Sequence, residues 1–212
     1  MSSHVPSRPL LEVCVDRVEA ALAAAAAGAD RIEFCARLDL GGITPETLEL
    51  ERVLNLLEVP VFAMVRPRGG DFVHDARELR ELREDLRAMR ECGADGVVLG
   101  VLGADGRIAR EALASLREEA GELPLTFHRA FDELESPLDG IETLLELGVD
   151  RLLTTGGPPT AWEGRDVLRE LVQAAGEQLV VMPGGGVRQD HVHALLEHTS
   201  AREVHSSQVL VL

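Results

Sequence analysis

Short apolar runs rich in β-branched residues alternate with longer stretches of helical period along the chain. Eight runs predict buried strands, at residues 10–15, 31–36, 60–66, 96–101, 125–131, 151–156, 179–184 and 203–207. The intervening stretches are amphipathic or alanine-rich and predict helices at about 17–27, 44–58, 75–92, 109–120, 136–147, 160–175 and 188–198. This alternation is typical of an α/β protein built on a parallel sheet.

The junctions between predicted helices and strands repeat. Gly28-Ala29-Asp30 precedes the second strand, Gly93-Ala94-Asp95 the fourth and Gly148-Val149-Asp150 the sixth. Glycine ends a helix in the left-handed conformation, and aspartate favours the turn that follows. Eight such units in 212 residues predict a (β/α)8 TIM barrel, a single domain over 10–212 behind a flexible N-terminal segment at 1–9. A flavodoxin-like open sheet is the alternative, and it accommodates eight units less well.

The predicted eighth strand is followed by residues 208–212 alone, which are too few for a helix. The expected barrel therefore lacks its final helix and leaves an apolar wall near the first and eighth strands. Either a partner chain covers this wall, as in a homo-oligomer such as a dimer, or the chain is shortened.

Composition narrows the function. A net charge of −16 disfavours nucleic acid as a partner, because phosphate backbones attract basic surfaces. No apolar run is long enough for a bilayer and the N-terminus lacks the apolar core of a secretory signal, so we expect no membrane partner and a cytoplasmic location. All 21 basic residues are arginine, which excludes catalysis through a lysine Schiff base.

Polar side chains at strand ends mark the candidate site. In a TIM barrel the carboxyl ends of the strands form the reactive mouth, and side chains alternate between the interior and the helices. If the alternation faces inward as expected, the mouth holds Glu12, Glu33, Arg66, His128 and His205.

A carboxylate within an apolar strand costs several kcal/mol unless it is paired. Glu12 and Glu33 therefore either form structural ion pairs with Arg66 or Arg129, or serve acid–base chemistry or metal binding. His128, in the segment TFHRAFD, is a candidate general acid, general base or ligand, and Arg129 and Asp132 could orient it. The candidate catalytic set is Glu12, Glu33, His128 and Asp132. The alternative is structural, because a lone histidine is commonly a core residue whose hydrogen bonds are all made within the protein.

Cys14 and Cys35 lie one β/α unit apart, so they are expected on neighbouring strands at equal depth. Two thiolates together with the thioether of Met64 are soft donors that suit copper(I). Buried cysteine is also a common small apolar core residue, and the residues alone favour that interpretation.

Two glycine-containing loops indicate an anion site. Two arginines follow the third strand in VRPRGGDF, and glycines follow the seventh strand in PGGG, where barrels often bind phosphate through backbone N–H groups. Solvated arginines and tight packing are the alternatives. The candidate anion-binding residues are Arg66, Arg68, Arg129, Gly184, Gly185 and Gly186.

Several segments together resemble the CutC family of copper homeostasis proteins. They are LEVCVD (11–16), GADRIEFCA (28–36), GGITP (41–45), VRPRGGDF (65–72), GADGVVLGVL (93–102), TFHRAFD (126–132), TTGG (154–157) and VMPGGGV (181–187). The resemblance implies a TIM barrel, a cytoplasmic role in copper handling and self-association. It also implies that Cys14 and Cys35, at the family's two early-strand cysteine positions, are copper(I) ligands. The family continues beyond the eighth strand with a further helix, and this chain does not.

Three functions remain open at this point: metal binding, catalysis and a non-catalytic binding role. The first is copper(I) binding and handling. The second is a lyase or isomerase that acts by acid–base chemistry on a phosphorylated or carboxylated small molecule at the barrel mouth. A non-catalytic binding scaffold is the third, because fold alone does not define function.

Overall fold

A computed structural model describes residues 8–212, and residues 1–7, within the predicted N-terminal segment, lie outside the described part. Eight strands form one parallel sheet in the order β7-β6-β5-β4-β3-β2-β1-β8. They are β1 Leu10–Val15, β2 Arg31–Phe34, β3 Val61–Met64, β4 Gly96–Leu99, β5 Leu125–Phe127, β6 Arg151–Thr154, β7 Val180–Pro183 and β8 Glu203–Ser206. Strands β7 and β8, at the two ends of this order, also lie in contact, so the sheet closes into a barrel. This confirms the predicted TIM barrel and excludes the open flavodoxin-like sheet.

Seven α-helices in the described residues pack around the barrel. They are α1 Val18–Ala26, α2 Thr47–Leu56, α3 Ala76–Glu91, α4 Arg110–Ala120, α5 Pro137–Glu146, α6 Arg165–Ala175 and α7 Val192–Thr199. Residues 207–212 after β8 form no helix, and no helix in 8–212 combines the length and apolarity needed to cross a membrane.

The repeated glycine–x–aspartate junctions form hydrogen bonds at the amino-terminal end of the sheet. Gly28 and Gly93 adopt φ angles of 104° and 88°, which glycine tolerates without a Cβ clash. Asp30 then accepts the backbone N–H of Leu11 at 2.8 Å, and Asp95 and Asp150 accept the N–H groups that begin β3 and β5 at the same distance. Each aspartate thus ties one β/α unit to the strand before it.

Alternate residues of each strand face two different regions, the layer between sheet and helices and the interior of the barrel. On β1, Leu11, Val13 and Val15 join the apolar layer between sheet and helices, whereas Glu12 and Cys14 point into the barrel. Most strands end earlier than the apolar runs predict, because their last residues turn into mouth loops. After β5, for example, the Nδ1 atom of His128 accepts the N–H of Ala130 at 3.2 Å and starts a 3₁₀ turn over Arg129–Glu133. Side chains at these early strand ends surround the mouth.

Candidate functional site

A cavity of about 360 Å³ opens where the strands end. Its wall combines the loops that follow β7 and β8 with charged, thiol and imidazole side chains: Cys14, Glu33, Arg66, His128, Arg129 and His205. Alternation along the strands therefore brings the predicted mouth residues to one cavity, except for Glu12, which is completely buried beneath it.

One wall of the cavity carries a thiol, a carboxylate and an imidazole. Cys14 and Glu33 are partners in the β1–β2 register. A ligand atom of each, together with one of His205, forms a group whose members all lie within 4.8 Å of one another. The Sγ atom of Cys35 lies 3.8 Å from that of Cys14, which is a hydrogen-bonding distance and too long for a disulfide. Thiols, carboxylate and imidazole together are a donor set able to hold a metal ion.

Both acidic side chains of this wall, the Cys14 thiol and the Glu33 carboxyl, have a pKa above the ordinary value, so they stay protonated to a higher pH than in water. The hydrogen bond with Cys35, burial and the Glu33 carboxylate all raise the pKa of the Cys14 thiol well above its usual value. Burial raises the pKa of Glu33, and Glu12 adds to the effect, while His205 opposes it. Oxygen Oε2 of Glu33 is buried and has no hydrogen-bond partner in the described residues. An unsatisfied buried carboxylate oxygen is costly for a fold, and such atoms are found where a ligand binds.

Glu12 orients the imidazole of this wall. Its Oε1 lies 2.7 Å from Nδ1 of His205, its neighbour in the β1–β8 register. Burial alone would raise the pKa of Glu12, but Arg31 and His205 together lower it to about 2, so the group is ionised. A carboxylate on one ring nitrogen leaves the other, Nε2, as the ligand atom, an arrangement typical of metal-binding histidines.

Below Glu12, a network of four charged residues fills the base of the barrel. Arg31 lies 2.5 Å from both Glu12 and Glu203, and Arg151 lies 3.2 Å from Glu203. The guanidinium carbons of Arg31 and Arg151 stand 4.8 and 5.3 Å from the Phe62 ring centroid. The Glu12 partner is therefore Arg31, rather than Arg66 or Arg129. Arg31 and Arg151 are not among the site residues predicted from the sequence, although Arg31 shares the strand parity of Glu33.

His128 stands on another part of the cavity wall as a neutral imidazole. Burial and the nearby Arg66 lower its pKa to about 3. Because Nδ1 accepts the Ala130 N–H, the ring proton belongs on Nε2, which is buried and has no partner in residues 8–212. A Cβ on Gly100 would lie 2.4 Å from Nδ1, so glycine at the end of β4 makes room for the ring.

Arg66 braces the mouth loops. Its guanidinium donates to the carbonyl oxygens of Leu40 and Gly42 at 3.2 Å and of Gly70 at 2.7 Å, and it stacks 4.6 Å from the Phe72 ring centroid. Its Nε is buried without a partner in the described part of the chain. Arg66 therefore fixes two loops through its terminal nitrogens.

The remaining predicted anion-binding side chains separate. Arg68 turns away from the cavity and pairs with Glu78 and Asp71, while Arg129 lines it and donates to Asp132 at 2.8 Å. Asp132 in turn accepts the Thr154 hydroxyl at 2.5 Å, so its place is that of a support for Arg129.

The three glycines after β7 also differ in position. A Cβ on Gly184 would lie 2.3 Å from Leu153, so this glycine permits close packing, while Gly185 and Gly186 line the cavity. The structure thus brings Arg66, Arg129, Gly185 and Gly186 to the cavity wall and leaves Arg68 and Gly184 off it.

Fold and site together define a TIM-barrel protein with a mixed thiol, carboxylate and imidazole site at its mouth. Comparison with known proteins places it further: residues 9–210 match the family model described as CutC family, and the chain belongs to that family. The copper homeostasis protein cutC homolog of Homo sapiens is 46% identical over 198 residues, 93% of this chain and 72% of that protein.

Solved structures agree with this placement. The structure of CutC from Streptococcus agalactiae superposes with a TM-score of 0.91 at 30% identity, covering 95% of this chain and 99% of that one. An aldolase superposes with a TM-score of 0.71 at 14% identity, covering 97% of this chain and 92% of that one, a likeness of fold alone.

Proposed function

We propose that this protein binds copper(I) inside its barrel mouth and takes part in intracellular copper handling. The observation that carries the proposal is the buried thiol pair of Cys14 and Cys35, with Glu33 and His205 gathered around Cys14. The human relative is named a copper homeostasis protein, which agrees with a soft metal as cargo.

The spacing of the thiols suits a shared ion. For metal–sulfur bonds of about 2.3 Å, two sulfurs on one ion lie about 3.8 Å apart at a tetrahedral angle and about 4.6 Å apart on a line. The observed separation of 3.8 Å between Sγ atoms matches the bent arrangement, which leaves room for a further ligand. His205 supplies that ligand in this proposal, through the ring nitrogen that Glu12 leaves free.

The surroundings of the thiols are largely apolar. Cys14, Cys35, Phe62, Met64 and Val98 form a buried apolar cluster inside the barrel. A Cβ on Gly42 would lie 3.3 Å from Sγ of Cys35 and 3.5 Å from the Met64 methyl, so the thiol and the thioether border one spot. Binding of copper(I) by the thiols releases their protons.

Location and assembly complete the proposal. We expect the protein to act in the cytoplasm, where thiols stay reduced, and to self-associate as a homo-oligomer such as a dimer. Both expectations come from the sequence and its family resemblance, and both stay predictions.

Competition with a copper(I) chelator tests the proposal. We expect Cys14→Ser and Cys35→Ser each to weaken copper(I) binding by more than about 100-fold, because even outer-shell partners are worth about 10–100-fold. Cys92→Ser is the matched control, since Cys92 lies at the end of α3, outside this cluster, and should bind like the wild type. Equal affinity in all four proteins would refute the proposal.

A second candidate function is acid–base chemistry on a phosphorylated or carboxylated small molecule. Glu33 Oε2 and His128 Nε2 favour it, because both are buried, unpartnered in the described chain and on the wall of one cavity. In this function Glu33 removes a proton next to a carbonyl and the neutral His128 donates a hydrogen bond to the carbonyl oxygen.

Proton exchange with D₂O tests this second function. Dihydroxyacetone phosphate and 2-oxobutyrate, as a phosphorylated ketone and a keto acid, are incubated with wild-type protein and Glu33→Gln and followed by NMR. We expect exchange at the carbon beside the carbonyl in at least one compound, and its loss in the variant. Exchange at the buffer rate with both compounds would argue against the enzyme.

A further inference from the structure

The barrel mouth carries positive charge on an otherwise acidic protein. The net charge of the chain is −16, yet Arg66, Arg129 and Arg188 all line the mouth cavity, with Glu33 as its one acidic residue within the described chain. By contrast, the groove between α3, α4 and α5 mixes arginines with Asp105, Glu111, Glu135 and Asp139. An acidic protein that concentrates arginine in one cavity attracts anions there selectively.

The side chain of Arg129 is fixed at one nitrogen and, within the described part of the chain, has two further nitrogens free to bind a ligand. Its Nε donates to Asp132, which is itself fixed by the Thr154 hydroxyl and by the N–H of Thr155 at 3.0 Å. The two terminal nitrogens of Arg129 donate to no acceptor in residues 8–212, and 47% of the side chain is exposed. A guanidinium oriented through one nitrogen keeps its other donors for a carboxylate or phosphate.

The backbone after β7 faces the same place. Gly185 and Gly186 adopt φ angles of 94° and 72°, and no acceptor among the described residues takes the N–H groups of Gly185, Gly186 or Val187. A Cβ on Gly185 would lie 3.4 Å from the guanidinium carbon of Arg129, so the bare backbone and the guanidinium are immediate neighbours. Successive free N–H groups in a glycine turn make a concave anion site.

His128 supplies a second, independent sign of a ligand. It is 4% exposed, it lines the cavity, and its Nε2 lacks a partner within 8–212. A buried N–H without a partner is satisfied when a ligand oxygen comes within hydrogen-bonding distance.

We propose that the mouth cavity binds a small organic anion, whose phosphate or carboxylate group lies between Arg129 and the backbone N–H groups of Gly185 to Val187. The rest of the molecule extends toward His128 and Glu33. A volume of about 360 Å³ equals about a dozen water molecules at about 30 Å³ each, which suits a small metabolite. The proposal is independent of copper binding, because none of its anion-holding groups is a thiol.

Calorimetric titration of the metal-free protein at constant ionic strength tests the site. The probes are inorganic phosphate and malonate, and chloride sets the ionic strength. We expect at least one probe to bind wild-type protein and to bind Arg129→Gln at least 10-fold more weakly, because a charge-assisted bidentate contact is lost. Arg202→Gln is the matched control: it removes the same charge just before β8, at the opposite end of the barrel, and should bind like the wild type.

The two probes separate the sources of the anion. Binding of phosphate alone favours a phosphate ester as the ligand, binding of malonate alone favours a carboxylate, and either result supports the site when Arg129→Gln weakens it. The absence of binding by both probes would overturn the proposal, as would an equal loss in Arg129→Gln and Arg202→Gln. Copper(I) affinity should be the same in Arg129→Gln and wild type, so failure here and failure of copper binding are distinguishable.

Discussion

The base and the mouth of this barrel both bury ionisable side chains, and the two regions differ in whether those side chains are paired. At the base, Arg31 lies between Glu12 and Glu203, and Arg151 reaches Glu203 from the other side. At the mouth, Glu33 and His128 each keep a buried polar atom without a partner in the described residues. The same fold thus pairs the buried ionisable groups at its base and leaves an unpaired atom on two of those at its mouth.

The difference separates structure from function. A fully paired network repays the cost of burial internally and has no capacity left for a ligand. Unpaired groups lower the stability of the fold, and proteins retain them where a ligand completes the hydrogen bonds. Glu12 joins the two regions, because one oxygen binds Arg31 below and the other binds His205 above.

Removing Arg31 should produce the largest effect. Arg31→Met leaves the buried Glu12 and Glu203 without their shared guanidinium, and loss of one partner from a buried pair costs about 3–5 kcal/mol. Burial lowers the pKa of Arg31, but the two carboxylates of Glu12 and Glu203 raise it above the ordinary value. The guanidinium therefore stays charged between them. Urea unfolding of the wild type and the variant measures the loss.

The control for this prediction lies at the mouth. Arg129→Met removes the same group from a half-exposed position, and exposed ion pairs contribute about 0–1 kcal/mol, so its unfolding free energy should fall by no more than that. If both variants lost the same stability, the contrast between base and mouth would be wrong.

Glu12→Gln should have a smaller effect, and chiefly on the metal. The amide keeps the shape but loses the charge that holds His205, and loss of an outer-shell partner lowers metal affinity by about 10–100-fold. Chelator competition with copper(I) measures the change. Glu203→Gln is the control, since Glu203 pairs with Arg31 and Arg151 and forms no hydrogen bond or ion pair with His205. Wild-type affinity in Glu12→Gln would remove His205 from the proposed ligands.

The sequence was sufficient to predict the barrel and its interior alternation. Eight apolar runs with glycine–x–aspartate junctions are local signals, and the parallel sheet follows from them because each helix must return the chain to the same end. Strand ends were predicted too long at 65–66 and 128–131, where apolar residues continue past the ladder into the mouth loops.

The partners of the charged residues could be predicted only in part. Alternation alone puts Arg31 on the same side as Glu33, so a stricter use of it would have found the partner of Glu12. The role of Arg66 could not be found this way, because it binds carbonyl oxygens of two loops whose path no residue pattern specifies. Likewise, nothing in VRPRGGDF distinguishes Arg66 from Arg68, which pairs with Glu78 on α3.

Glu33→Gln should have the smallest effect on stability, and it is the sharpest test of the mouth as a ligand site. Burial raises the pKa of Glu33 and one of its oxygens has no partner in the described chain, so the charge opposes folding and its removal leaves little to lose. We expect the free energy of unfolding at pH 7 to stay within about 1 kcal/mol of wild type, since the amide still leaves one buried group unsatisfied. A loss of about 3 kcal/mol, like that of Arg31→Met, would mean that Glu33 is a paired structural charge. In that case the distinction between the paired base and the unpaired mouth would not hold, because the buried ionisable groups at both ends of the barrel would stabilise the fold.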